Sequence, residues 1–120
     1  MSVRAVRGAV QVDVDEREEV LARTRELVSE VIRVNDLTLE DFISVIFTST
    51  ADLNSEFPAV AARELGMGDV PLMCARELEI TGSMPRVIRL MAHVETARPR
   101  SEVRHVYLGG AQALRRDIAQ

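Results

Sequence analysis

The sequence contains no tryptophan, one tyrosine and three phenylalanines, so aromatic residues make up only 3% of its 120 positions. Its core must therefore be built from Val, Leu, Ile, Ala and Met. A single cysteine, Cys74, excludes an internal disulfide, and with only His93 and His105 beside it no spaced Cys/His set exists for a structural zinc. Lysine is absent, all 15 basic residues being arginine, a bias that a GC-rich genome can produce without functional selection. It lowers the weight of any single arginine but not of its placement, because a half-buried guanidinium needs a partner whatever its codon. No apolar run approaches the about 18 residues of a membrane span, and the start lacks the basic-then-apolar layout of a secretory signal. These features predict a soluble, cytoplasmic protein with no membrane partner. A net charge of −4 argues against nucleic acid as a partner, since binding phosphate backbones takes a basic face.

What is present is enough for one core. With 47% hydrophobic and 28% charged residues the chain is not disordered, and 120 residues predict a single domain, 1–120. Val3 to Val12 is β-branched with a period of two, placing Val6, Val10 and Val12 on one face and Val3, Ala5, Arg7 and Ala9 on the other, and predicts a strand. Asp15 can cap a helix with Glu16, Glu18 and Glu19 in its first turn and Val20, Thr24, Leu27, Val28 and Val31 at helical spacing, running to Asn35. Thr38 to Asp41 resembles a capping turn, and Phe42 to Ser49 has the length of a buried strand. Pro58 and Gly66 bracket a two-turn helix. Further extended runs are expected at Val70 to Ala75, Val87 to Val94 and Arg104 to Leu108, a turn at Thr81-Gly82-Ser83, and a short terminal helix from Ala111 to Asp117 after Gly109-Gly110. The order predicts an α+β protein, a mixed β-sheet with helices over one face.

Polar residues that break this pattern are the candidates for function. In the fourth strand Ile88, Leu90, Ala92 and Val94 form an apolar face, and Arg89, Met91, His93 and Glu95 share the other. Arg89 either faces solvent with Glu95 as a nearby partner or is directed into a site. Arg7 sits between Ala5 and Ala9, small neighbours that leave room around it, and Arg63 lies among alanines on the short helix. If these arginines converge near Glu77 and Cys74, bidentate hydrogen bonding would suit a dicarboxylate. Neither histidine has a Ser or Cys partner at a motif spacing, and Gly82, Gly109 and Gly110 make no phosphate loop. Met67, Met73, Met84 and Met91 read as packing residues, and Tyr107 fits core, interface or site equally.

The set Arg4-Ala5-Val6-Arg7-Gly8-Ala9, Asp52-Leu53, Phe57-Pro58-Ala59, Arg63-Glu64-Leu65, Val70-Pro71, Cys74, Glu77, Thr81-Gly82, Ile88-Arg89 and Arg104-His105-Val106-Tyr107-Leu108 closely resembles the monofunctional AroH-type chorismate mutases, in order and over nearly the whole chain. The resemblance implies a cytoplasmic, bacterial homotrimer with a pseudo-α/β barrel fold. Its sites lie between subunits and convert chorismate to prephenate without a cofactor or metal. By the same resemblance Arg7 binds a substrate carboxylate, Arg89 donates to the bridging ether oxygen, Cys74 and Glu77 contact the ring hydroxyl, and Tyr107 holds the side-chain carboxylate. The backbone from Leu72 through Met73, Cys74 and Ala75 to Arg76 lines the pocket. Phe57, Ala59 and Arg63 form the wall from the neighbouring subunit, and Leu114 and Arg115 match a terminal segment that shields the site. Some relatives carry a lysine at the place of Val60 and a threonine at that of Met73, so a peripheral charge and a hydroxyl are missing here. Two rival readings are a trimeric imine or enamine deaminase of similar fold, and a non-catalytic carboxylate-binding trimer that would keep Arg7 and Arg63 without needing Cys74, Glu77 and Arg89 together.

Overall fold

The computed structural model describes residues 1–114. Among these, five strands form one mixed sheet: β1 (Ser2–Gln11), β2 (Phe42–Ser49), β3 (Leu72–Arg76), β4 (Val87–Thr96) and β5 (Val106–Leu108), in the order β3-β2-β4-β1-β5. β4 is central and antiparallel to both β1 and β2, while β3 and β5 add in parallel at the two edges. The helices α1 (Arg17–Val34) and α2 (Pro58–Glu64) cover one face, as the alternating strand patterns require. Val6, Val10, Phe47, Ile88, Leu90 and Val94 from that face pack with Val20, Leu27, Val28 and Val31 of α1 and with Ala59 and Ala62 of α2 in one core. Gly8 lets α1 approach closely, since a Cβ there would stand 3.0 Å from a Leu27 methyl.

The bounds of β2 and α2 follow their sequence signals closely. Thr38 N–H donates to the Asp41 carboxylate at 2.8 Å and Asp41 N–H to the Thr38 carbonyl at 3.1 Å, closing the turn before β2. Three local expectations are corrected. Asp15 does not cap α1: the first residue outside the helix is Glu16, with no side-chain cap, and the Asp15 carboxylate instead accepts the Asn54 and Ser55 N–H groups at 3.0 and 3.1 Å. The fifth strand starts at Val106, because the buried Asn35 side chain takes both the Arg104 N–H and the Arg104 carbonyl, at 2.8 and 2.9 Å, out of the ladder. Bonds of this kind are worth about 0.5–1.5 kcal/mol each. The segment after β5 is a 3-10 turn, Gly109–Ala113, that begins on the glycines and not after them; the rest of the expected terminal helix, 115–117, lies outside the described residues. Among the described residues no helix is long and apolar enough to cross a membrane.

Candidate active site

The sheet face away from the helices carries the unusual polar residues. Strand register aligns Tyr107 of β5 with Ala9 of β1, Ala9 with Arg89 of β4, Arg89 with Thr48 of β2, and Thr48 with Ala75 of β3. This lateral row crosses the whole sheet. The next row holds Arg7, Met91, Ile46 and Met73, so Arg7 stands diagonally beside Arg89 on one face. Ala9 is the small neighbour that opens space next to both guanidinium groups.

Glu77 enters this face from the end of β3. Its N–H donates to the Ser49 carbonyl at 3.0 Å, which extends the ladder by one residue and fixes the carboxylate over Thr48. The Thr48 hydroxyl donates to Glu77 Oε2, and the same oxygen lies 3.4 Å from Arg89 Nε. Arg89 therefore pairs with Glu77, and Glu95 stays exposed further along β4. Arg89 Nε is buried and makes no hydrogen bond. The guanidinium is held in direction by its ion pair with Glu77, and its hydrogen-bonding capacity is not used up within the chain.

Cys74 is divided between two faces. Its side chain alternates away from Met73 and Ala75, packs against the helical core and borders a cleft of about 420 Å³ with Ser49, Asn54, Glu56, Phe57 and Arg76. Its backbone faces elsewhere. Val45 N–H donates to the Pro71 carbonyl and Glu77 N–H to that of Ser49, so odd-numbered residues of β3 carry the parallel ladder and the Cys74 N–H points out along the free edge. Leu72 is half-buried on the core side, Met73 is 62% exposed, Ala75 is exposed, and the exposed Arg76 reaches the Asn54 side chain at 3.4 Å.

Tyr107 is only 5% exposed and packs with Ala9, Val87, Ala111, Met84 and Leu114, closing one end of the row that contains Arg89. Leu114 thus belongs to the site's flank, while Arg115 lies outside the described residues. Arg7 N–H donates to His105 Nδ1 at 3.0 Å, and the Arg7 side chain borders a second cleft, about 370 Å³, with Arg4, Arg100 and Met91.

The three arginines do not converge within one chain. Arg63 is exposed on α2, whose Ala59 and Ala62 are buried against the opposite face of the sheet from Arg7 and Arg89. Phe57, the residue before α2, is 66% exposed, and Ala59 is buried in the core. Sequence reasoning missed Thr48, which carries a signal, a hydroxyl on the alternation of β2 beside Ile46 and opposite Phe47. Among the described residues no three His, Cys, Asp or Glu side chains are grouped as metal ligands.

Comparison with known proteins gives a consistent result. Residues 3–118 match a family model described as chorismate mutase type I. Chorismate mutase AroH of Thermus thermophilus is 48% identical over 117 residues, covering 97% of this chain and 96% of that protein. Chorismate mutase AroH of Bacillus subtilis (strain 168) is 39% identical over 120 residues, 99% and 94% of the two chains. A solved chorismate mutase from Clostridium thermocellum superposes with a TM-score of 0.90 at 42% identity, covering 92% of this chain and 98% of its own.

Proposed function

The chain belongs to the chorismate mutase type I family, and from that premise we propose that its site is the open sheet face around Arg89, completed by a second copy of the chain in a homotrimer. The activity is the rearrangement of chorismate to prephenate in aromatic amino acid biosynthesis. Family membership decides against the deaminase and the non-catalytic trimer.

The observation that carries the shared site is the split geometry. Arg7, Arg89, Glu77 and Tyr107 lie on one face of the sheet, and Phe57 and Arg63 are exposed on its other side. Within one chain the sheet lies between Arg63 and Arg89. The open face also exposes Val3, Ile46, Met73 and Met91, an apolar strip suited to self-association. Sedimentation at assay concentration should report three chains, and a fully active monomer would remove the shared site.

Chemically, the rearrangement breaks one carbon–oxygen bond and forms one carbon–carbon bond within the same molecule, with every atom retained. It needs no nucleophile, proton transfer or cofactor. Two demands remain: the flexible dianion must be held in a compact chair-like shape, and negative charge growing on the ether oxygen must be met. Arg7 and the partner's Arg63 answer the first by binding carboxylates, with Tyr107 at the side-chain carboxylate. Arg89 answers the second. Held beside Glu77, it is already oriented, so it stabilises the transition state over the ground state by about 3–4 kcal/mol if it acts as an oxyanion donor does. Glu77 and the outward Cys74 N–H orient the ring hydroxyl.

In this scheme Cys74 contributes its backbone and not its thiol. Cys74→Ser is expected to keep most of the wild-type rate of prephenate formation from chorismate. An adduct trapped on Cys74 during turnover would contradict it.

A further inference from the structure

The corner formed by residues 54 to 57 is held outside the sheet, with the Asn54 side chain donating to the Ala51 carbonyl at 2.9 Å and accepting from Arg76 at 3.4 Å. It contributes nothing to the sheet ladder, and the Phe57 ring is 66% exposed, so side-chain packing does not fix its direction. Phe57 also lacks a side chain able to cap α2, and none does. Carboxylates supply what is missing. Asp15 accepts the Asn54 and Ser55 N–H groups, and Glu56 Oε1 accepts the Phe57 N–H at 2.9 Å. The other Glu56 oxygen accepts Arg17 Nε at 2.9 Å, while Arg17 Nη1 also donates to Glu18 at 2.9 Å. Three backbone donors of the corner are thereby tied to the start of α1.

Glu56 is the distinctive member. At 19% exposure its side chain is the least exposed carboxylate in any ion pair of the described residues. The Phe57 N–H, then the Arg17 guanidinium, and with them the charge of Arg63, hold its carboxyl below the usual carboxylate range. A surface pair of this length would ordinarily contribute little stability. Its location gives it another use.

We infer that Glu56, anchored by Arg17, is a positioning residue of the active site, setting the direction in which the Phe57 corner and the Arg63 side of α2 are presented to the partner subunit. The inference rests on the interfacial reading above. Glu56 touches no substrate; it acts through the backbone of Phe57, and Arg17 acts through Glu56.

Steady-state kinetics with chorismate on the full chain test this, with Phe57→Ala as the reference. Phe57→Ala should raise KM. Glu56→Ala should raise KM by about five- to tenfold with kcat within about twofold of wild type, because ground-state and transition-state binding are lost together. Arg17→Met should do the same more weakly and Arg17→Lys should recover part of the loss. The double variant Glu56→Ala/Arg17→Met should be no worse than Glu56→Ala, as expected of two residues in one chain of action. A merely structural role would lower the thermal midpoint and the amount of active trimer while leaving KM unchanged. If Phe57→Ala raises KM and Glu56→Ala does not, the positioning role is overturned and the shared site stands. If Phe57→Ala leaves KM unchanged, the corner does not serve the site and the positioning role is overturned, while the shared site is judged by Arg63.

Discussion

Replacing Arg89 with citrulline, which keeps the planar shape of the guanidinium but replaces one charged NH2 group with a neutral carbonyl oxygen, is expected to lower kcat about a hundredfold or more with a much smaller change in KM. Arg89→Ala, which removes charge and donors together, should cost at least as much. Arg89 Nε stands 3.4 Å from Glu77 Oε2 without forming a hydrogen bond, and Glu77 is itself held by Thr48 and by the Ser49 carbonyl. The cation is oriented before substrate arrives, so no reorganisation is needed as charge develops. A group arranged in that way discriminates between the two states of the ether oxygen, and its loss appears in kcat. The variants must be shown to be intact trimers, because Arg89 lies near the start of β4, the central strand of the sheet, and its removal leaves the Glu77 carboxylate with Thr48. Near-normal kcat for citrulline in such a trimer would mean that Arg89 positions the substrate and does not stabilise charge.

The sequence carried the face on which Arg89 lies and offered Glu77 as its neighbour only conditionally, beside Glu95. Alternation in β4 separates Arg89, Met91, His93 and Glu95 from the apolar set, which makes Glu95 a natural partner by proximity in sequence. Period-two reasoning says nothing about which strand lies alongside or in what register, and that lateral information brings Thr48 and Glu77 to Arg89. β2 and α2 were legible because local chemistry decides them: a β-branched run, a proline at the first helical position and a glycine past the end. Asp15 reads as a helix cap locally, yet its oxygens are claimed by backbone donors 39 and 40 residues away. Arg17 and Glu56 are likewise 39 residues apart, and each alone is an ordinary surface charge. Arg104 and His105 read as strand until the buried Asn35 takes the Arg104 backbone. The rule is the same in every case. Tendencies fixed by neighbours in the chain were readable, and pairings between residues far apart in the chain were not.

The second large effect concerns two chains at once. Arg63→Ala is expected to lower kcat/KM about tenfold to a hundredfold, through loss of a charge-assisted carboxylate contact, and Arg89→Ala lowers it through kcat. Arg63 is exposed on α2 and Arg89 lies on the opposite sheet face, so in the shared-site arrangement the two act on a common substrate only when they come from different subunits. Unfolding the two variants together in equal amounts and refolding them should then generate sites that take Arg89 from an Arg63→Ala chain and Arg63 from an Arg89→Ala chain. With random assortment in a cyclic trimer, about a quarter of all sites have both arginines, and another quarter have neither. The mixture should recover about a quarter of wild-type activity, well above the average of the two variants refolded separately. The gain depends on chains exchanging partners, so mixing the folded variants without unfolding them should give only that average at first. Were each chain to hold a complete site, every site would carry one lesion however the chains assort. Co-refolded trimers shown by native mass spectrometry to contain both chains, yet having only the averaged activity, would therefore place both arginines in one subunit's site or remove Arg63 from the chemistry altogether.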